Sequence, residues 1–252
     1  MTLALFWLAD LSAGVGEVVD LTGPEAHHAA TVKRIVIGER VLLADGSGVL
    51  VEAQAVEVAR DRVRFEILSR REIAVPQPRF TVVQALPKGD RADLAVEVLT
   101  ELGADEIVPW SASRSISQWR GAAGGDGAGK AARGVAKWRR TAAEASKQSR
   151  RARIPDVAEL ADTATIGQRV AAADLALVLH EESELPLSGF PIPDKGEVLL
   201  IVGPEGGVSP AELESFAMAG GQPVRLGAEV LRTSTAGAAA LAVLSVASGR
   251  WR

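Results

Sequence analysis

Residues 199–216, Leu199-Leu200-Ile201-Val202-Gly203-Pro204-Glu205-Gly206-Gly207-Val208-Ser209-Pro210-Ala211-Glu212-Leu213-Glu214-Ser215-Phe216, decide the fold. The apolar run 198–202 shows no polar alternation, which predicts a central strand covered on both faces. It feeds directly into Gly-Pro-Glu-Gly-Gly. Ser209 and Glu212 then form a capping box with proline at the first helical position, so a helix starts there. Strand, glycine turn and helix in succession mark an α/β domain with a mainly parallel sheet. A glycine-rich turn in that position lets backbone approach a ligand at the sheet edge where such domains bind nucleotides. A tight structural turn would also account for these residues.

The turn matches neither the Walker pattern nor Gly-x-Gly-x-x-Gly, and Glu205 stands where a phosphate binder places lysine or bare amides. Repulsion disfavours a phosphate there. A nucleoside without phosphate, bearing ribose hydroxyls and with or without a positive charge, suits the loop better.

Downstream, a strand near Val224 leads into Leu226-Gly227-Ala228-Glu229-Val230-Leu231-Arg232-Thr233-Ser234-Thr235-Ala236 and a terminal Ala-rich helix over 236–247. Thr233, Ser234 and Thr235 are candidate caps, and the Ala/Gly run admits unusually close packing, whether against a ligand-bearing loop or an ordinary sheet. Upstream, a second buried strand over 175–179 ends in His180-Glu181-Glu182, polar groups at a strand end where α/β sites form and where solvated ends also occur. A strand over 80–86 is followed by a helix over 90–102, with Leu94, Val98, Leu99 and Leu102 on one face and Gly103 as its stop. A short strand occupies 107–110. Residues 121–129, nearly all Gly and Ala, read as a loop, and a basic helix runs over 131–151, with Trp138 either a core anchor or a base-stacking residue.

The N-terminal third has a different texture. Residues 26–68 hold short Val, Leu and Ile segments punctuated by Gly38, by Asp45-Gly46-Ser47-Gly48 and by Arg60-Asp61, which predicts a small β-barrel or meander. Pro76 and Pro78 in 74–79 suit a linker.

Composition narrows the chemistry. The chain of 252 residues, 47% of them hydrophobic, can bury a large core. It has no cysteine and three histidines, so disulfides, thiolate metal sites and cysteine nucleophiles drop out, and no metal is expected. No apolar run approaches the roughly 20 residues of a membrane span, and residues 1–11 have no basic leader; no membrane partner and a cytoplasmic location are expected. The net charge is −4, yet residues 130–153 carry nine cations (Lys130, Arg133, Lys137, Arg139, Arg140, Lys147, Arg150, Arg151, Arg153) against Glu144 alone. That concentration predicts a dedicated polyanion surface. Taken without further comparison, the residues also admit a nucleotide-dependent enzyme that uses the glycine turn, or a non-catalytic RNA-binding or ribosome-assembly protein.

In sequence order, His28-Ala29-Ala30-Thr31-Val32-Lys33-Arg34 with Gly38, Leu86-Pro87-Lys88, Thr100-Glu101-Leu102-Gly103-Ala104, Glu144-Ala145-Ser146-Lys147-Gln148-Ser149-Arg150, Val202-Gly203-Pro204-Glu205-Gly206-Gly207, and Leu226-Gly227 with Leu231-Arg232-Thr233 and Thr235-Ala236 span nearly the whole chain. Together they resemble the SPOUT methyltransferases, and most closely the family usually called RsmE, which methylates ring nitrogen 3 of a uridine in 16S ribosomal RNA. The chain departs from that pattern at Ala4-Leu5-Phe6-Trp7, where the family often has a basic aromatic strand, and at Ser234, where it commonly has glutamate.

The resemblance implies an α/β protein with a PUA-like RNA-binding β-barrel in residues 1–73 and a SPOUT domain in 74–252, whose C-terminal part, within about 175–247, forms a deep trefoil knot. It implies S-adenosylmethionine as cosubstrate, held by Leu179, His180 and Glu181, by Val202, Gly203, Pro204, Glu205, Gly206 and Gly207, and by Leu226, Gly227, Val230, Leu231, Arg232, Thr233, Thr235 and Ala236. Arg232 and Glu205 are the expected catalytic residues, one orienting the uracil and the other taking its proton. Lys33, Arg34, Lys88, Arg139, Arg140, Lys147, Gln148, Arg150, Arg151 and Arg153 are expected on the RNA. The implied partners are 16S ribosomal RNA in the assembled small subunit and a second copy of the chain in a homodimer.

Overall fold

A computed structural model describes residues 3–89, 91–119 and 127–251, which form two compact units. The first unit comprises Met1–Val75 and Ser146–Ile154. Its sheet is built from β1 (Leu5–Trp7), β2 (Val18–Thr22), β3 (Arg40–Ala44), β4 (Val49–Val58) and β5 (Arg62–Glu72) in the order β1-β3-β4-β5-β2, with only the β1/β3 pair parallel. The hairpin read at 45–48 joins β3 to β4. Asp45 Oδ1 accepts the backbone N–H groups of Ser47, Gly48 and Val49 at 2.8, 3.0 and 2.9 Å. Gly46 and Gly48 take φ of +80° and +124°, conformations that residues with a Cβ rarely adopt.

Part of the barrel reading is corrected. Residues 26–32 are helical rather than extended: α1 (Gly23–His27) has proline in its first turn and runs into a π-helical turn, His28–Val32. The small side chains of Ala26 and Ala29 let that helical segment close over the core of Phe6, Leu43, Phe65 and Ile67. Within the same unit Lys147 reaches both oxygens of Glu25 at 2.7 Å and lies 5.2 Å from the Phe6 ring centroid, while the backbone N–H of Trp7 donates to Glu25 Oε2.

The second unit comprises Pro76–Ala145 and Pro155–Arg252. It contains β6 (Arg79–Ala85), α2 (Arg91–Glu101), β7 (Glu106–Trp110), most of α3 (Gly127–Gln148), β8 (Asp156–Val157), α4 (Thr163–Ala172), β9 (Leu175–Leu179), β10 (Glu197–Val202), α5 (Pro210–Met218), β11 (Gln222–Val224) and α6 (Thr233–Ala247). The sheet order is β11-β9-β10-β6-β7-β8 and every pair is parallel. The runs read as central strands are central and buried.

Several local expectations change. Residues 127–129 begin α3 instead of belonging to a loop, and residues 121–126 of the expected Gly/Ala loop lie outside the described residues. Trp138 is a core anchor, 1% exposed beside buried Ala142 and edge-on to Trp119 at 5.2 Å. In α2 the buried face is Ala95, Val96, Leu99 and Thr100, and Leu94 is 47% exposed. The face is rotated because α2 packs against α6, with the Leu99 side chain set against Gly237. The N-cap of α6 is Arg232, which makes no side-chain cap bond; Thr233, Ser234 and Thr235 already lie inside the helix.

α6 packs closely on its neighbours at Gly237. A Cβ there would lie 3.2 Å from Leu99 and Val202 side-chain carbons and 3.4 Å from Gln84 Oε1. Replacing Gly237 with leucine should lower the melting temperature on the order of 5 °C by circular dichroism, since overpacking costs about 1–3 kcal/mol. The capping box of α5 forms as expected, and Glu212 does more than cap. Its carboxylate also accepts Ser113 N and Oγ at 2.8 and 2.9 Å and Thr163 Oγ1 at 3.1 Å. Burial pushes this carboxyl up, but the bonds from Ser113 and Ser209 outweigh it and hold its pKa below the ordinary glutamate value. A depressed carboxyl contributes stability that is present above its unfolded pKa and lost as pH falls through the folded one. Glu212→Gln should therefore destabilise the protein at neutral pH, and the gap from the parent should narrow in chemical denaturation below about pH 4.

Candidate functional site

Parallel strands that end in register deliver their following loops to one edge. Here β10 pairs with β9 at Ile201 and Val178, and β11 pairs with β9 at Val224 and Leu179. The three segments that leave this edge, at His180, Gly203 and Arg225, enclose a cavity of about 300 Å³. That volume is within the range of small-molecule sites.

The backbone shapes each wall. His180 N donates to Val224 O at 3.0 Å, which ties the end of β9 to β11. The turn after β10 closes through Gly207 N to Pro204 O at 2.9 Å, with Gly207 at φ +71°. A Cβ on Gly203 would lie 2.9 Å from Val208 Cγ2, so only glycine allows the turn to fold so tightly. Arg225 is held in extended form by Leu185 O and Leu187 N, at 2.8 and 2.9 Å. From there the chain rounds Gly227 and enters α6, where the carbonyl of Arg232 accepts Thr235 N and Ala236 N, both at 2.8 Å.

The cavity brings together nearly every residue read as a ligand contact. Leu179, His180 and Glu181 form one wall; Val202, Gly203, Pro204, Glu205 and Gly207 a second; Leu226, Gly227, Val230, Leu231, Arg232, Thr233 and Ala236 a third. Gly206 and Thr235 are not on its lining. Gly206 faces the loop after β7, and Thr235 is exposed on the first turn of α6. Val208, Val224, Arg225 and Glu229 line the cavity without having been singled out. Glu229 had a usable signal, a third carboxylate inside a segment already suspected, whereas Arg225 had none because its place depends on pairing with 185–187.

The donor set defines what the site accepts. Aliphatic surface from Leu179, Val202, Leu226 and Leu231 suits a flat heterocycle, and the charged lining, Glu181, Glu205 and Glu229 against Arg225 and Arg232, keeps a net negative balance that disfavours phosphate and favours a cation. A nucleoside carrying positive charge fits this lining. Glu205 is also part of the scaffold, since its Oε1 accepts the backbone N–H of Lys88, just past β6, at 3.0 Å.

Several of the expected RNA-contacting cations are bonded within the fold. Lys147 is bound to Glu25; Arg139 donates to Val157 O and to Glu159 at 2.8 Å; Arg153 Nε donates to Ile73 O at 2.8 Å. Lys137, counted in the basic run, pairs with Asp93 at 2.6 Å. The charge of 130–153 is thus partly neutralised by acids from elsewhere in the sequence. In the first unit Lys33, Arg34, Gln148 and Arg150 are exposed and Arg151 is half-buried; in the second, Lys88 and Arg140 are exposed.

Comparison with known proteins agrees in both halves. Residues 75–245 match the RNA methyltransferase domain family, and residues 21–68 match the RNA methyltransferase PUA domain. The chain is 41% identical to the ribosomal RNA small subunit methyltransferase E of Mycobacterium bovis, over 99% of this chain and 94% of that protein. It is 29% identical to the protein of the same name from Bacillus subtilis, over 89% and 88%. Among solved structures, the ribosomal RNA small subunit methyltransferase E of Neisseria gonorrhoeae bound to S-adenosyl methionine superposes with a TM-score of 0.83 at 27% identity, covering 97% of this chain and 98% of that one. A putative methyltransferase of Legionella pneumophila in complex with the same cofactor gives 0.84 at 26% identity, covering 98% of each. This chain belongs to the RNA methyltransferases and, among them, to the family of the ribosomal RNA small subunit methyltransferases E.

Proposed function

We propose that this protein transfers a methyl group from S-adenosylmethionine to ring nitrogen 3 of a uridine in 16S ribosomal RNA. The observation that carries the reading is the convergence of three strand-end loops on one cavity with aliphatic and acidic lining. Two relatives of closely similar fold are known with that donor bound. When bound, the donor supplies an electrophilic methyl on a sulfonium. Leu179, Leu226 and Leu231 hold its adenine, and the turn at Gly203 and Gly207 allows backbone to approach it.

Nitrogen 3 of uracil must lose its proton, and the resulting anion spreads over the flanking carbonyl oxygens. Positioning and charge stabilisation therefore dominate the chemistry. Arg232, exposed and on the lining of the cavity, orients the uracil and stabilises the anion. Glu205 accepts the proton on Oε2, while Lys88 N–H on Oε1 keeps the carboxylate in place.

We place a PUA-like RNA-binding barrel in residues 1–73 and the methyltransferase domain in 74–252. A deep trefoil knot within about 175–247 is supported by the seating of Arg225 on 185–187 and by the packing of the 187–189 turn on α6. The small residues of α6 suit a threaded chain. The functional unit is a homodimer acting in the cytoplasm on the assembled small subunit, with Lys33, Arg34, Gln148, Arg150 and Arg151 among the residues on RNA phosphates.

Incubation of unmodified small subunits with labelled donor should place the label on nitrogen 3 of one uridine by mass mapping. Affinity for NAD or ATP without donor binding would instead favour a nucleotide-dependent enzyme, and RNA affinity without donor binding an assembly factor. Arg232→Ala and Glu205→Gln should each slow single turnover by about 100-fold; near-parental rates in both would refute these roles. RNA affinity should fall steeply with salt, and reversing Arg150 and Arg151 to glutamate should weaken it by about ten-fold or more while donor affinity stays unchanged.

A further inference from the structure

The turn over 203–207 has two sides. Gly203, Pro204, Glu205 and Gly207 line the cavity, whereas Gly206 is turned towards the loop that follows β7. Arg114 in that loop covers it. Arg114 Nη1 donates to Gly206 O at 3.1 Å, and a Cβ built on Gly206 would lie 3.1 Å from Arg114 Cβ and 3.3 Å from Arg114 O. The loop carrying Arg114 is itself anchored one residue earlier, where Ser113 N and Oγ donate to Glu212. Glu212 also accepts Ser209 N and Oγ at 3.0 and 2.7 Å, and Ser209 follows the glycine turn by two residues. The post-β7 loop thus holds the turn at its tip through Arg114 and at its exit through Glu212.

We propose that Arg114 is a positioning residue of the donor site, acting on the donor through Gly206 rather than by contact. A five-residue turn containing three glycines has many accessible backbone states in the absence of restraint, and ordering the turn before binding raises affinity. A guanidinium bonded to the Gly206 carbonyl selects among them, because a charge-assisted bond to a backbone oxygen is stronger than a neutral one. The contact with Gly206 couples turn and loop. The inference rests on the proposed donor site, and it predicts that donor affinity depends on a residue that does not line the cavity.

The full-length protein, Arg114→Ala, Arg114→Lys, Gly206→Ala and the Arg114→Ala/Gly206→Ala double variant can be compared by isothermal titration with S-adenosylmethionine. Arg114→Ala should weaken donor binding by about ten-fold with an unchanged melting temperature, and lysine should restore part of the loss. Gly206→Ala, whose Cβ presses on Arg114, should show a similar defect, and the double variant should be no worse than the weaker single one. In steady state, the KM for donor should rise while that for RNA stays constant. Hydrogen exchange at the amides of 203 and 205–209 in the donor-free protein should accelerate in Arg114→Ala, with the strands unchanged. Parental donor affinity in Arg114→Ala overturns the proposal, as does a rise confined to the KM for RNA, which would make Arg114 an RNA contact. Failure of the parent protein to bind donor would count against the proposed function; unchanged exchange at those amides would then still decide against Arg114.

Discussion

Uniform strand direction is the constraint on which this site depends. With β9, β10 and β11 parallel and adjacent, none can be joined to its neighbour by a tight hairpin, so each must leave by a loop at the same edge. Three loops emerging side by side leave backbone donors and acceptors that no ladder satisfies. They close on one another, through His180 N to Val224 O and through the pairing of Arg225 with 185–187, and the space they leave becomes the cavity. The site follows from sheet topology more than from any single motif.

Close packing beneath that edge explains why small residues recur. Gly237 brings the backbone of α6 against β10, β6 and α2, and Gly203 lets the turn fold onto Val208. These glycines serve steric approach rather than unusual backbone angles. Gly207 serves the other purpose, since its positive φ is what allows the turn to reverse.

Carboxylates take two different parts. Glu212 is buried and fully committed, joining the loop after β7, the start of α4 and the start of α5. Glu205 is exposed at the cavity yet fastened by one oxygen to the backbone past β6. The first makes the rigid frame, and the second presents charge from it. The cations divide in a comparable way: Lys147 and Arg139 secure structure through Glu25 and Glu159, whereas Arg150 and Arg140 remain on the surface.

Much of this was legible in the sequence because short-range physics determines it. The buried strands at 175–179 and 198–202, the Ser209-Pro210-Glu212 helix start, the Asp45 hairpin and the stop at Gly103 each need only neighbouring residues to be recognised. The segments that line the cavity were also legible, since polar and glycine residues directly after buried strands have few structural reasons to be there. What the sequence could not determine depends on partners distant along the chain. The rotation of α2 that exposes Leu94 was set by α6; the pairing of Lys137, Arg139 and Lys147 was set by acids at 93, 159 and 25; and the places of Arg225 and Arg114 were set by 185–187 and Gly206. Local pattern fixes which elements form, but only the folded chain decides which of their faces and side chains are already occupied.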